Sequence, residues 1–215
     1  FPLASLCGMT TAAVVSGNTV VLKPSSDSPA IGYKCSEVLE EAGLPPGVVN
    51  FITGPGGEAG DYLVMQPKTR FVAFTGSKPV GLGISAKAAA VAEGQIWIKR
   101  AVIEMGGKDA ILVADDADID AAAEGVAAAA FGFQGQKCSA CSRAIVDEKV
   151  YDAFLEKLVA RTRAITVGAP SDPKVFMGPV INERAFKTTM EYIEGGRAEG
   201  RIVAGGEPGK SEGWY

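Results

Sequence analysis

Helix signals and strand signals take turns along the first half of this chain, and that alternation admits few folds. Pro2 to Val15 reads as a helix running into Gly17-Asn18. Thr19-Val-Val-Leu-Lys23 is a short strand rich in β-branched residues. Ser28 to Ala42 has the spacing of an amphipathic helix, stopped by Gly43 and Pro45-Pro46. Val48 to Thr53 is a second strand, followed by a Gly-rich turn and a helix from Glu58 to Gln66. Phe71 to Thr75 is a third strand, Val80 to Ala92 a further helix, and Ile96 to Glu104 a strand leading out of the unit. The expected fold class is α/β with a parallel sheet.

After Gly106-Gly107 the character changes, which sets an expected boundary between domains 1–105 and 106–215. Ala110 to Val113 is a strand. The acidic turn Asp115-Asp116-Ala-Asp118 is placed to cap an Ala-rich helix from Ile119 to Phe131. Ala144 to Val146 is strand-like, and Val150 to Ala164 and Glu183 to Glu199 read as amphipathic helices. Arg201 to Ala204 reads as a short strand, and the tail Glu212-Gly-Trp-Tyr215 as the start of another.

Composition excludes several function classes. Twenty-five acids against 21 bases give a net charge of −4, which argues against a nucleic-acid partner. No apolar run is long enough to span a membrane, and no secretory pattern is present. Four irregularly spaced cysteines do not suggest a disulfide framework, so a reducing cytoplasm is the expected compartment. The chain has no histidine, which rules out Ser-His-Asp or Cys-His catalysis and His-ligated metal within it.

Two stretches carry chemistry. In Phe131-Gly-Phe-Gln-Gly-Gln-Lys-Cys138-Ser-Ala-Cys-Ser-Arg143, Cys138 lies between a Gly/Gln-rich turn and what reads as a small-residue helix start. A helix N-terminus there would stabilise a thiolate. Thirty-four residues upstream, Glu104-Met-Gly-Gly-Lys108 sets a carboxylate after an apolar strand, the place for a general base. A salt-bridged surface carboxylate is the plainer alternative. Cys138 and Cys141 form a C-x-x-C, but Cys7 and Cys35 supply no second close pair for zinc. Cys7, Cys35 and Cys141 read as buried small residues. Gly54-Pro-Gly56-Gly-Glu-Ala59 has the G-x-G-x-x-A form of a dinucleotide-binding turn. The acidic ribose partner about 20 residues on is missing, where Phe74-Thr75-Gly76-Ser77 stands instead.

Together these motifs resemble the aldehyde dehydrogenase superfamily, over essentially the whole chain. The resemblance implies a cofactor-binding domain followed by part of an α/β catalytic domain, in a chain that reads as an internal piece of a longer one. It implies that Cys138 attacks the aldehyde and Glu104 activates water. Phe74-Thr75-Gly76-Ser77-Lys-Pro-Val80-Gly81 looks like the family's pyrophosphate turn, making Gly76, Ser77, Val80 and Gly81 cofactor contacts, with Gly54 and Met105 on the same surface. Lys23 looks like the lysine that bonds the adenosine ribose; a solvated lysine is the alternative. NAD-preferring relatives often carry glutamate three residues later, where this chain has Ser26, so NAD is expected and NADP is possible. The strings around Cys138 and Gly94-Gln-Ile-Trp-Ile-Lys-Arg100 are most similar to the branch acting on L-glutamate γ-semialdehyde. For that substrate Ser139 would hold the carboxylate, Phe1 would pack on the aliphatic part, and Lys137 would add positive potential or be merely solvated. A succinate-semialdehyde enzyme or a catalytically incompetent piece are the alternatives. The expected partners are an aldehyde and further copies of the chain.

Overall fold

Three pairs of parallel strands carry the fold in the computed structural model, which describes residues 1–209. In the first, β1 (Val20–Leu22) lies beside β2 (Val49–Phe51), with Val20 opposite Val49. In the second, β3 (Phe71–Thr75) lies beside β4 (Arg100–Glu104), with Phe71 opposite Arg100 and Thr75 opposite Glu104. In the third, β5 (Asp109–Val113) lies beside β6 (Cys141–Val146), with an irregularity between Asp109 and Ala110. Among the described residues each strand has one neighbour. The chain divides into two compact units, Phe1–Gly106 and Gly107–Tyr215.

In the first unit the crossovers are α1 (Ala4–Val15) before β1, α2 (Pro29–Glu41), α3 (Asp61–Met65) and α4 (Lys78–Ala89). Pro29 opens α2 and Pro79 stands in the first turn of α4, where the missing N–H costs nothing. Val64, Ile84 and Ala88 are buried against Val72, Phe74 and Ile103, so α3 and α4 cover one face of the β3–β4 pair. The second unit holds α5 (Ile119–Phe131), α6 (Tyr151–Arg163) and α7 (Glu183–Glu199). Asp118 caps α5 by accepting from the Ala121 N–H at 3.0 Å, as its sequence position suggests. Val113, Ala123, Val126 and Phe154 form the core there. Across α5 and α6, Asp120 meets Lys157 at 2.6 Å and Glu124 meets Arg161 at 2.9 Å. The Lys157 hydrogen bond holds the Asp120 carboxyl below the usual range.

Some segments differ from their sequence reading. Ile96–Ile98 is not strand: β4 begins at Arg100, and the preceding residues are tied down by side chains instead. The Trp97 indole donates to the Thr69 carbonyl and the buried Lys99 ammonium to the Val64 carbonyl. The Glu58–Gln66 helix is a π-helical turn over Gly56–Gly60 running into α3. Arg201–Ala204 makes no ladder; Arg197 instead reaches past it to the Gly206 carbonyl and the Glu207 carboxylate. The tail Glu212–Tyr215 lies outside the described residues. Cys7 on α1 and Cys35 on α2, expected as separate buried small residues, are paired, with Cα atoms 6.8 Å apart. Helix packing, not sequence spacing, brings them together. Among the described residues no helix is long and apolar enough to cross a membrane.

Candidate active site

The carboxyl ends of β1 and β2 form a first group. Lys23 follows β1, and its ammonium donates to the Pro24 carbonyl at 2.7 Å and the Gly54 carbonyl at 3.2 Å. The Ser26 hydroxyl donates to the same Gly54 carbonyl at 3.2 Å. Gly54 has φ 151°, and a Cβ there would lie 2.9 Å from that of Ala59. Only glycine lets the chain leave β2 this way. A cavity of about 240 Å³ opens beside these residues, walled by Pro24, Ser26, Thr53, Gly54 and Pro55. Ligands of parallel sheets bind at such strand ends.

The carboxyl ends of β3 and β4 form a second group. The Gly76 N–H donates to the Glu104 carbonyl at 3.0 Å, so the turn after β3 is fastened to the end of β4. Gly76 has no room for a side chain, because a Cβ would run into the Phe74 ring. Ser77 precedes α4, and Val80, in the first turn of α4, is half exposed. Gly81 lets α4 lie directly on β4, since a Cβ there would be 2.8 Å from Ile103 Cγ2 and 2.9 Å from Met105 Sδ. Met105 thus packs under the helix while Glu104 is exposed at the strand end. Phe1 stands at the head of α1, exposed, its carbonyl accepting from the Ser5 N–H at 3.4 Å.

The Cys138 turn belongs to the second unit. α5 gives way at Gly132 to a 3₁₀ turn, Gly132–Gly135, and Cys138 follows in a further turn closed by the Ala140 N–H donating to the Lys137 carbonyl at 3.1 Å. Cys138 is exposed and is not part of a disulfide; Ser139 is exposed beside it. The expected helix start after Cys138 is instead β6, because Cys141–Val146 finds a partner in β5. No helix therefore begins directly after this thiol. Lys137 is half-buried and folds back, its Nζ 3.2 Å from where a Cβ on Gly132 would stand. Cys141 is half-buried, its thiol donating to the Arg143 carbonyl at 3.4 Å.

Three contacts missed by the sequence reading hold this turn in place. A Cβ on Gly107 would be 2.6 Å from the Cys138 carbonyl oxygen, so the segment leading into β5 passes directly against the Cys138 backbone. The Arg143 guanidinium donates to the Lys108 carbonyl at 2.5 Å. The Gln134 amide donates to the Pro179 carbonyl at 3.3 Å. Gly107 and Arg143 stood inside the two quoted motifs, but only β5–β6 pairing shows that the motifs meet there. An exposed thiol on a turn fixed against two strands can act as a covalent nucleophile.

A profile of the aldehyde dehydrogenase family matches residues 1–215. The chain is 56% identical over 215 residues to a 1-pyrroline-5-carboxylate dehydrogenase of Geobacillus thermodenitrificans, and 57% identical to one of Bacillus cytotoxicus. Each match takes in 100% of this chain and 42% of the relative, so the chain spans well under half the length of the curated relatives it matches. Among solved structures, a 1-pyrroline-5-carboxylate dehydrogenase from Thermus with bound NAD matches at TM-score 0.95 and 47% identity, over 99% of this chain and 41% of that one. Lactaldehyde dehydrogenase from Escherichia coli matches at TM-score 0.92 and 31% identity, over 100% of this chain and 44% of that one.

Proposed function

Since the chain belongs to the aldehyde dehydrogenase family, we propose that it supplies the nucleophile and much of the cofactor surface for oxidation of L-glutamate γ-semialdehyde to L-glutamate. That aldehyde is the open-chain form that 1-pyrroline-5-carboxylate gives when one water adds across its C=N bond and the ring opens; the cyclic compound is the one in the names of the relatives at 56% and 57% identity. The observation that carries the reading is Cys138, exposed on a turn that Gly107 fixes from below.

Residues 1–105 act as the cofactor-binding part and 106–215 as the catalytic part. What supports a dinucleotide there is the cavity beside the turn at Gly54, at the end of a parallel strand, with Lys23 and Ser26 offering polar hydrogens next to it. NAD, when bound, supplies the hydride acceptor. Lys23 would donate to ribose hydroxyls, and Gly76, Ser77, Val80, Gly81 and Met105 would shape the surface under the rest of the cofactor. Ser26 lacks a carboxylate that would repel a 2′-phosphate, so NADP is accepted as well.

The Cys138 thiolate adds to the aldehyde carbon, and the Cys138 N–H donates to the oxyanion. Departure of hydride from that carbon leaves a thioester on Cys138. Glu104 takes a proton from water, whose oxygen displaces the sulfur; the acid leaves and the thiol is restored. Ser139 donates to the substrate carboxylate, Lys137 contributes positive charge, and Phe1 packs on the aliphatic chain. The full-length protein works as a homo-oligomer in the cytoplasm, on a small aldehyde and without nucleic acid or membrane.

The test is Cys138→Ala in the full-length protein, with glutamate semialdehyde and NAD. Formation of reduced cofactor is lost, while dinucleotide binding by fluorescence titration stays close to wild type. Retained turnover refutes the assignment.

A further inference from the structure

The backbone ahead of Cys138 is held in a conformation its side chains disfavour. Phe133 and Gln134 have φ of 55° and 56°, and Gly135 follows at 66°. Among the described residues Phe133 and Gln134 are the only non-glycine positions with positive φ, and they are adjacent. A left-handed backbone crowds the Cβ, so such a turn persists only where its surroundings hold it.

The holding contact is the Gln134 side chain. Its amide donates to the carbonyl of Pro179, 45 positions on. That segment is itself anchored, because Val167 and Met177 bridge and the Gly168 N–H donates to the Met177 carbonyl at 3.0 Å. Gly178 keeps the approach open: a Cβ there would stand 3.3 Å from Gln134 Nε2. On the other side Gly135 lies close to the end of α5, where a Cβ on it would meet the Ala130 carbonyl oxygen at 2.8 Å.

We propose that Gln134 is a positioning residue for Cys138: its amide clamps the left-handed turn to the Pro179 carbonyl and thereby fixes where the thiol stands. The proposal rests on Cys138 being the nucleophile. A side chain that merely filled space would be replaced without loss by glutamate, which has the same shape. A clamp would not, because a carboxylate cannot donate to a carbonyl.

The experiment uses the full-length protein with Gln134→Glu, Gln134→Ala, Gly178→Ala and Cys138→Ala. Steady-state constants with glutamate semialdehyde and NAD are measured beside melting temperature and the rate of Cys138 alkylation by iodoacetamide, followed by mass spectrometry. Gln134→Glu and Gln134→Ala should lower kcat about tenfold, since a small misplacement of a reacting group is costly. KM for NAD and the melting temperature should stay near wild type, and the alkylation rate should change with kcat. Gly178→Ala should move kcat in the same direction by less. Wild-type kcat in Gln134→Glu overturns the clamp, and so does a loss that a lowered melting temperature fully explains. Turnover surviving in Cys138→Ala overturns the nucleophile assignment instead, so the two failures are distinguishable.

Discussion

Replacing Gly107 by alanine would place a methyl carbon 2.6 Å from the Cys138 carbonyl oxygen. Ordinary contact begins at 3.4 Å, so the two backbones must separate by about 0.8 Å. Neither side can rotate away, because the obstacle is main chain. The start of β5 is held by pairing with β6 and by the Arg143–Lys108 bond, whereas the Cys138 turn has no ladder of its own. The Cys138 turn should therefore yield. Overpacking of this kind costs about 1–3 kcal/mol of stability. Moving a reacting group by nearly 1 Å costs up to about 10²-fold in rate. The assay is kcat of the full-length protein beside its urea midpoint. Gly125→Ala is the comparison: it lies within α5, nothing stands within 4 Å of its Cβ, and alanine there should stabilise by about 0.5–1 kcal/mol. A Gly107→Ala protein with wild-type midpoint and wild-type kcat would refute the reasoning.

The remaining expectations concern single side chains. Glu104→Gln keeps the shape but cannot take a proton from water, so rapid mixing should show a burst of reduced cofactor and then slow release; a missing burst removes Glu104 from thioester hydrolysis. Ser26→Glu exchanges the donor to the Gly54 carbonyl for a carboxylate, which under the proposed cofactor pose should weaken NADP use roughly tenfold, on the order of 1 kcal/mol, with NAD little changed. Equal loss of both cofactors would place residue 26 elsewhere. Asp118→Ala removes the cap on the Ala121 N–H and should cost about 1 kcal/mol in the urea midpoint without changing KM; an unchanged midpoint would mean the cap contributes nothing.

What could be read from the sequence is what neighbouring residues decide. Phe71–Thr75, Ile119–Phe131 and Glu183–Glu199 fall where their periodicity and flanking turn residues put them. Where a segment needs a distant partner, the local pattern misleads. Ile96 and Ile98 look like strand, yet they are 85% and 84% exposed and make no ladder. Arg201–Ala204 fails for the same reason. Ala144–Val146 was legible as strand, but the small residues just after Cys138 suggested a helix start, whereas pairing with β5 carries the strand back to Cys141. The α/β class and the two chemical motifs were visible because both are contiguous strings. That Lys23 and Ser26 converge on one carbonyl, that Cys7 meets Cys35, and that Gly107 lies against Cys138 depend on crossovers of about thirty residues, which periodicity does not resolve.

Strands with a single neighbour leave one row of N–H and C=O groups for the surroundings to satisfy. Around β1, Lys23-Pro24 follows at once, and Arg143 lies within β6; such residues discourage uninvited pairing. β5 is different. Its run Ala110-Ile-Leu-Val113 carries no charge, and Leu112 is 75% exposed, with Ile145 on β6 52% exposed. We expect this chain, prepared by itself, to be a colloid whose state depends on how much of it is present: dispersed when dilute, and laying β5 against β5 as it is concentrated. Light scattering that rises with concentration, and falls when Leu112 is replaced by lysine, would make protein concentration a variable to report beside every stability measured on it.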